Sequence, residues 1–452
     1  MEKILLSDIA RTVGGTIDIK SEIGEISTDT RQLIAGSVFI AIRGERFDGH
    51  DYVAKAFEKG AVAAITEKQI ENYPCIIVND TRKAFLDLAR YYRSLFNIIL
   101  VGVTGSVGKT TTKEMIALVL SEKYNTLKTE GNLNNEIGLP KTLLGINKSH
   151  KAAVIEMGMS DFGEIERLSN TAIPTISVIT NIGFSHIENL KTQEGILKAK
   201  LEILSGMSSD APLVVNADDR LLSTVKDSLN RRVLTYGIEN KTADYYAKNI
   251  YEENNGTIFT VKYQDRDVEV SLPCIGRHNV LNALSAFCIG INSGISEEEI
   301  INALKKYKPD ELRQNIVKKG EQTVIIDCYN ASPDSMKASL SVLLQVKAEN
   351  NGRKVAVLGD MLELGEMSRQ LHENVGRFTE MADVDMLFTY GYDSVYIAEK
   401  AKESGVSVMH TDDKAKLVNE LKTYLKAGDV VLFKGSRGMR LEEVIDGLYG
   451  IN

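Results

Sequence analysis

The chain has no tryptophan, only seven prolines and four cysteines among 452 residues. Each scarcity excludes something. Cys75, Cys274, Cys288 and Cys328 are far apart and form no C-x-x-C pair, which argues against a zinc ribbon, a redox dithiol or a disulfide-stapled scaffold. The reading is therefore of reduced, mostly buried thiols. No stretch approaches the ~18 consecutive apolar residues of a membrane helix. The first residues, MEKILLSDIARTVGG, carry two acids within eight positions and no long apolar run, unlike a secretory leader. A cytoplasmic, soluble protein without stable membrane insertion is the expectation. Positive charge is also short: the net charge of −8 leaves no broad face to neutralise nucleic-acid phosphates. A small anionic substrate held by a few local Arg or Lys side chains is compatible with it.

What is present is an α/β pattern. At ~100–200 residues per domain, the length suits two or three domains, and three blocks can be read. In the first, to residue 96, apolar runs at Val38–Ile42, Val62–Thr66 and Ile76–Val78 read as strands, and Thr81–Ser94 as a helix. The second covers 97–313. It opens on the apolar strand Asn97–Val103, and further strands are expected at Ala153–Glu156, Thr175–Thr180, Pro212–Asn216 and Val233–Tyr236. Strand–helix alternation predicts a mostly parallel, covered sheet. Residues 244–272, around Asn254-Asn255-Gly256, read as a β-hairpin insertion. The third block, 314–452, carries strand patterns at Thr323–Asp327, Val355–Leu358, Met386–Thr389 and Val430–Phe433, giving a second open α/β sheet of Rossmann-like character.

The strongest chemical signal is Gly105-Ser106-Val107-Gly108-Lys109-Thr110-Thr111, between an apolar strand and a helix. Small residues let backbone N–H groups close around phosphates, and the helix N-terminus adds positive potential. Lys109 supplies a point charge, and the Thr110 hydroxyl is placed to hold Mg²⁺. The loop departs from G-x-x-x-x-G-K-[ST], because Val103 stands at the first glycine position. Alone it does not separate a ligase from a GTPase, kinase or motor.

Other candidates gather on the same rim. Glu156 ends a strand, where a carboxylate suits a Mg²⁺ ligand or is a solvated loop acid. Asn181 and His186 follow the next apolar strand. Lys198 and Lys200, two apart on a predicted helix Gln193–Leu204, point to different faces, so only one can look inward. TEGNLNNEIGLP (129–140) is rich in amides, including Asn134 and Asn135, and reads as a substrate loop or a capped turn. Asn279 reads as an N-cap, whereas Asn282 faces another way and could bond a base.

In order along the chain, TGSVGKTTTKE, EGNLNNEIGLP, IEMGMSDFGEI, TNIGFSHIENL, KAKLEI, GRHNVLNALSA, IIDCYNASPDSMKASL, VAVLGDMLELGEMS and KGSRGMRLEEV together resemble the Mur ligase family over nearly the whole chain. The resemblance implies three domains and an ATP-dependent ligase that forms an amide through an acyl phosphate. The first and third blocks look like the branch that joins D-alanyl-D-alanine to a UDP-N-acetylmuramoyl-tripeptide in peptidoglycan synthesis. Another amino-acid-adding branch, a nucleotide switch without amide chemistry and an inactive nucleotide-binding relative remain alternatives.

Roles implied by the resemblance follow. Thr110 and Glu156 would hold one Mg²⁺, and His186 would help hold a second. Lys200 matches the family's carbamylated lysine, with Lys198 the fallback. Asn282 would contact adenine. Arg313, Asp327 and Tyr329 would reach ATP from the third block. Asp29, Thr30, Arg31, Asp48 and His50 are candidates for the UDP-sugar end. Asn330, Ser332 and Asp334 are candidates for the dipeptide, and a strand-to-helix turn with an N-cap explains them as well. A monomer is expected.

Overall fold

A computed structural model describes residues 1–44, 47–253 and 255–450. The first block is built on four parallel strands in sequential order, Ile26–Ser27, Val38–Ile40, Ala63–Thr66 and Cys75–Ile77. The helix Thr81–Ser94 follows, its N-terminus capped by Asp80, which accepts from the Arg82 and Lys83 N–H groups. Its apolar stripe of Phe85, Leu88, Ala89 and Tyr92 is buried. The helix also fastens the first block to the second. It packs on helices Gly138–Leu144 and Glu164–Ala172. The Tyr92 hydroxyl donates to Ile146 O at 2.5 Å, and Arg93 Nε to Ala172 O at 3.0 Å.

The central sheet has nine strands. Ile99–Thr104 lies between Ile176–Ile179 and Ala152–Glu156, parallel to both, with Thr126–Lys128 beyond the latter. These strands are apolar on both faces because helices cover both. On the other side come Leu213–Asn216 and Val233–Gly237. The predicted hairpin insertion is different in kind. Tyr245–Glu253, Gly256–Tyr263 and Arg266–Leu272 form an antiparallel meander that extends the same sheet, Tyr246 pairing with Gly237. Burial explains it: Tyr245, Phe259, Val261 and Val270 face the helix Arg277–Asn292, where the Tyr263 and Phe287 rings meet edge-on at 5.4 Å. Asn254, part of the turn motif, lies outside the described residues, as do Glu45 and Arg46.

The third sheet runs in the order Asn315–Lys319, Gln322–Ile326, Val430–Lys434, Lys354–Gly359, Met386–Tyr390, Ser407–Thr411. Its first strand is antiparallel and the rest are parallel. The two outermost strands have no counterpart in the sequence reading; both are partly solvated and lack continuous apolar runs. The fold is thus α/β, with three principal sheets, the central one mostly parallel, and a two-stranded antiparallel pair, Ile4–Leu5 with Glu22–Ile23, in the first block. Among the described residues no helix is long and apolar enough to cross a membrane.

Candidate active site

A cavity of about 570 Å³ opens where the carboxyl ends of the central strands face the third block. Ligands gather at such strand ends in open α/β sheets. The phosphate loop, Glu156 and His186 stand on one wall, and Arg313, Asp327, Tyr329, Asn330, Ser332 and Glu363 on the other.

The loop's shape follows from its two glycines. Gly105 has φ +151°, and a Cβ there would lie 1.8 Å from Thr180 Oγ1, which itself donates to Val107 O at 2.6 Å. Gly108, with φ +80°, is N-cap of the helix Lys109–Ser121, and a Cβ would meet Asn282 Oδ1 at 2.9 Å. Asn181 clasps the loop: its backbone O accepts from Ser106 N, and its Oδ1 from Val107 N. The N–H groups of Lys109, Thr110 and Thr111 have no acceptor among the described residues, so the helix N-terminus is open to an anion. Gly105→Ala is expected to displace Thr180 and open the loop. Urea unfolding should show a loss of about 1–3 kcal/mol, the usual cost of overpacking, with weaker nucleotide retention in equilibrium dialysis.

Beside the loop, Thr110 Oγ1 donates to Glu156 Oε2 at 3.0 Å, and Asn134 Nδ2 to Glu156 Oε1 at 2.8 Å. Glu156 is only 2% exposed. Lys109 Nζ donates to the loop's own carbonyls, Gly105 O at 2.9 Å and Ser106 O at 3.3 Å. Burial lowers its pKa, Glu156 raises it, and Arg313 across the cavity lowers it again. No group of three His, Cys, Asp or Glu side chains gathers among the described residues. The adjoining hydroxyl and carboxylate oxygens of Thr110 and Glu156 nevertheless fit Mg²⁺, which takes one or two protein oxygens and completes its shell with water and phosphate.

The helix Gln193–Leu201 separates the two lysines. Lys200 is buried at 2% exposure, and its side-chain amine makes no hydrogen bond or ion pair among the described residues. Burial, helped by the Lys109 charge, lowers its pKa well below the ordinary lysine value. Lys198 is exposed, its ammonium 5.7 Å from the Phe162 ring centre.

His186 has φ +60° and its Nδ1 lies 2.7 Å from Glu363 Oε2, a contact between the central and third blocks. His186 holds the Glu363 carboxyl below its ordinary pKa. Across the cavity the Arg313 guanidinium stacks 3.9 Å from the Tyr329 ring centre. Asp327 Oδ2 is 2.7 Å from Lys434 Nζ and also accepts from the Ser339 hydroxyl. Asn330 folds its Oδ1 onto Ala331 N, and Ser332 is the N-cap of Pro333–Gln345 in a capping box with Ser335. Asp334, on that helix's first turn, is half-buried close against Gly183, and desolvation raises its pKa.

Other candidates sit differently. Asp29, Thr30, Arg31, Asp48 and His50 are absent from the cavity wall and lie on the first block. Asp29 is held at about 2 by its hydrogen bonds from Arg31. His50 is held inside the block. Its ring is buried, Nδ1 bonds Asp48 Oδ1 at 2.6 Å, and Nε2 accepts the Glu67 N–H at 2.9 Å. Both nitrogens are used in holding the block together. Thr30 is buried as well. Asn135 caps the helix Gly138–Leu144 through Ile137 N and Gly138 N. Asn282 lines the cavity beside Gly108, and its Oδ1 accepts from Thr112 Oγ1 at 3.1 Å.

Lys434 and Glu363 were missed by sequence reasoning. Lys434 ends an apolar strand just before Gly435-Ser436, the same strand-end signal that singled out Glu156.

The Mur ligase middle domain matches residues 103–290, the Mur ligase glutamate ligase domain residues 312–437, and the Mur ligase family catalytic domain residues 22–93. UDP-N-acetylmuramoyl-tripeptide–D-alanyl-D-alanine ligase of Bacillus subtilis is 40% identical, over 99% of both chains. A crystal structure of MurF from Acinetobacter baumannii superposes with a TM-score of 0.92 at 32% identity, covering all of both chains. MurF ligase from Thermotoga maritima, in complex with ADP, superposes at 0.85 with 32% identity, covering 94% of this chain and 97% of that one. Nine motifs in order, an open phosphate loop facing a third-block wall, and these end-to-end likenesses have one explanation: the chain belongs to the Mur ligase family.

Proposed function

We propose that this protein is an ATP-dependent ligase that joins D-alanyl-D-alanine to the free carboxylate of a UDP-N-acetylmuramoyl-tripeptide, a cytoplasmic step of peptidoglycan synthesis. The observation that carries it is the single cavity in which the phosphate loop and Glu156 face Arg313, Asp327 and Tyr329. Relatives bearing this activity in their names align over 99% of the chain. Residues 1–96 serve the UDP-sugar, 97–313 hold ATP, and 314–452 close over it.

A carboxylate is a poor electrophile, so it is first converted to an acyl phosphate. A carboxylate oxygen attacks the γ-phosphorus, the bond to the bridging oxygen breaks, and ADP leaves with that oxygen. The N–H groups at the start of Lys109–Ser121 and the Lys109 ammonium hold the phosphates in line. The dipeptide's neutral amine then adds to the acyl carbon, the C–O bond to the phosphate breaks, and the surplus N–H proton passes to the departing phosphate or to water. Mg²⁺ held by Thr110 and Glu156, and a second by His186 and Lys200 as its carbamate, would offset charge on the phosphate oxygens. Lys200 suits carbamylation because its buried, partnerless amine is disposed to be neutral and can attack CO₂, the released proton going to water.

Phosphate release tests the reading directly. The protein is incubated with ATP, Mg²⁺ and UDP-N-acetylmuramoyl-tripeptide, and D-alanyl-D-alanine, D-glutamate, L-alanine or lysine is added separately. D-alanyl-D-alanine alone should raise phosphate above the blank. If it does not, the assignment fails.

A further inference from the structure

Four carboxylates line the cavity, and three are committed. Glu156 bonds Thr110 and Asn134, Glu164 accepts the Ser160 N–H, and Asp327 is held by Lys434 and Ser339. The fourth, Glu363, takes no N–H from its own block among the described residues. Its one polar partner among them is His186, on the opposite wall, and its side chain is 64% exposed.

Glu363 is nonetheless held with care. The loop that carries it, Asp360 to Gly365, is pinned at its first three residues. The buried Asp360 carboxylate accepts from Tyr392 N at 2.8 Å and Ser394 N at 2.7 Å. His372 Nδ1 lies 2.8 Å from Ser368 O, so Nε2 is left to accept the Met361 N–H at 3.0 Å. Ser436 Oγ accepts the Leu362 N–H at 2.9 Å. The next residue, Glu363, has φ +64°, a left-handed conformation that costs energy in any residue with a Cβ. A braced loop ending on a strained, solvent-facing carboxylate is an arrangement for presenting charge.

We infer that Glu363 receives the α-ammonium of the incoming dipeptide and, once that ammonium has lost a proton to water, holds the amine with its lone pair aimed at the acyl carbon; this rests on the ligase reading above. The phosphoryl-handling groups Lys109, Thr110 and Glu156 occupy the central wall, so the nucleophile must approach from the third-block wall. There Lys434 and Arg313 are cationic and repel an ammonium. Glu363 is the acid on that wall whose only ion-pair partner can be exchanged: the ammonium replaces the imidazole of His186. Glu363 acts as a positioning residue and forms no covalent bond.

The test is steady-state phosphate release with each substrate varied in turn, on wild-type protein, E363Q and E363D. E363Q should raise KM for D-alanyl-D-alanine about ten- to a hundredfold, the loss of one charge-assisted hydrogen bond. KM for ATP and Tm should hold, and E363D should recover part of the loss. Propionyl-D-alanine, which lacks the amine, should inhibit wild type and E363Q equally. An unchanged dipeptide KM overturns the inference. So does a parallel rise in KM for ATP with a lowered Tm, or an equal weakening of propionyl-D-alanine. Wild-type protein that releases no dipeptide-dependent phosphate overturns the ligase reading itself, and this inference with it.

Discussion

Lys200→Ala should lose activity by on the order of a hundredfold or more, at least the scale seen when a group supporting a metal is removed. Lys198→Ala should stay near wild type, as exposed substitutions do. The two lysines share a helix and differ by two positions, yet one is buried near Lys109 and the other lies over Phe162. The pH dependence has a definite sign. Burial lowers the Lys200 pKa, so the amine is neutral, and able to hold a carbamate, above that lowered value. Acidification protonates it and releases CO₂. Activity should therefore fall on the acid side, and bicarbonate should slow the fall. Acetate or formate should restore part of the activity of Lys200→Ala by supplying the missing anion. Phosphate release measures all of these, and ¹³C-bicarbonate should give a carbamate resonance that Lys200→Ala lacks. An inactive Lys198→Ala beside an active Lys200→Ala would reverse the assignment.

The second large effect is expected at Lys434. Its ammonium is 2% exposed and bonds Asp327 Oδ2 at 2.7 Å, with Asn330 O at 3.3 Å. Lys434→Met keeps the volume but strands the Asp327 carboxylate in a poorly solvated place. Breaking a buried pair from one side costs about 3–5 kcal/mol, readable in urea unfolding of the full chain. Removing both charges relieves the imbalance, so K434M/D327N should regain most of that stability. It should not regain activity, because Asp327 and Asn330 shape the third-block wall of the cavity. Stability loss below 1 kcal/mol in Lys434→Met would contradict this account.

Local chemistry made much of the molecule legible. The helix Thr81–Ser94 has its cap and stripe written in adjacent residues, and the apolar strands could be placed to within a residue or two. The phosphate loop was readable because strand, glycines and Lys109 are contiguous. Pairing between distant segments was not. Nothing local in 244–272 says that these strands extend the central sheet rather than stand apart from it; that is decided by burial under Arg277–Asn292. The site shows the same division. Glu363 meets His186 only because two blocks face each other. Lys434 meets Asp327 because their strands are neighbours although 107 residues apart in sequence. His50 shows the same limit, since a polar residue in a loop motif gives no local sign that both its nitrogens are hydrogen-bonded inside the block.

The third sheet also has a consequence for how the chain is made. Its strand Val430–Lys434 lies in the interior of the sheet, between Gln322–Ile326 and Lys354–Gly359. During synthesis, the first two blocks can complete their sheets while the ribosome is still working. The third cannot. Until residue 434 has cleared the exit tunnel, two apolar strands face an empty slot, each with an unpaired edge open to neighbouring nascent chains. The strand Val430–Lys434 closes that gap and delivers Lys434 to Asp327, so the third-block wall of the cavity is completed only after residue 434 has been made.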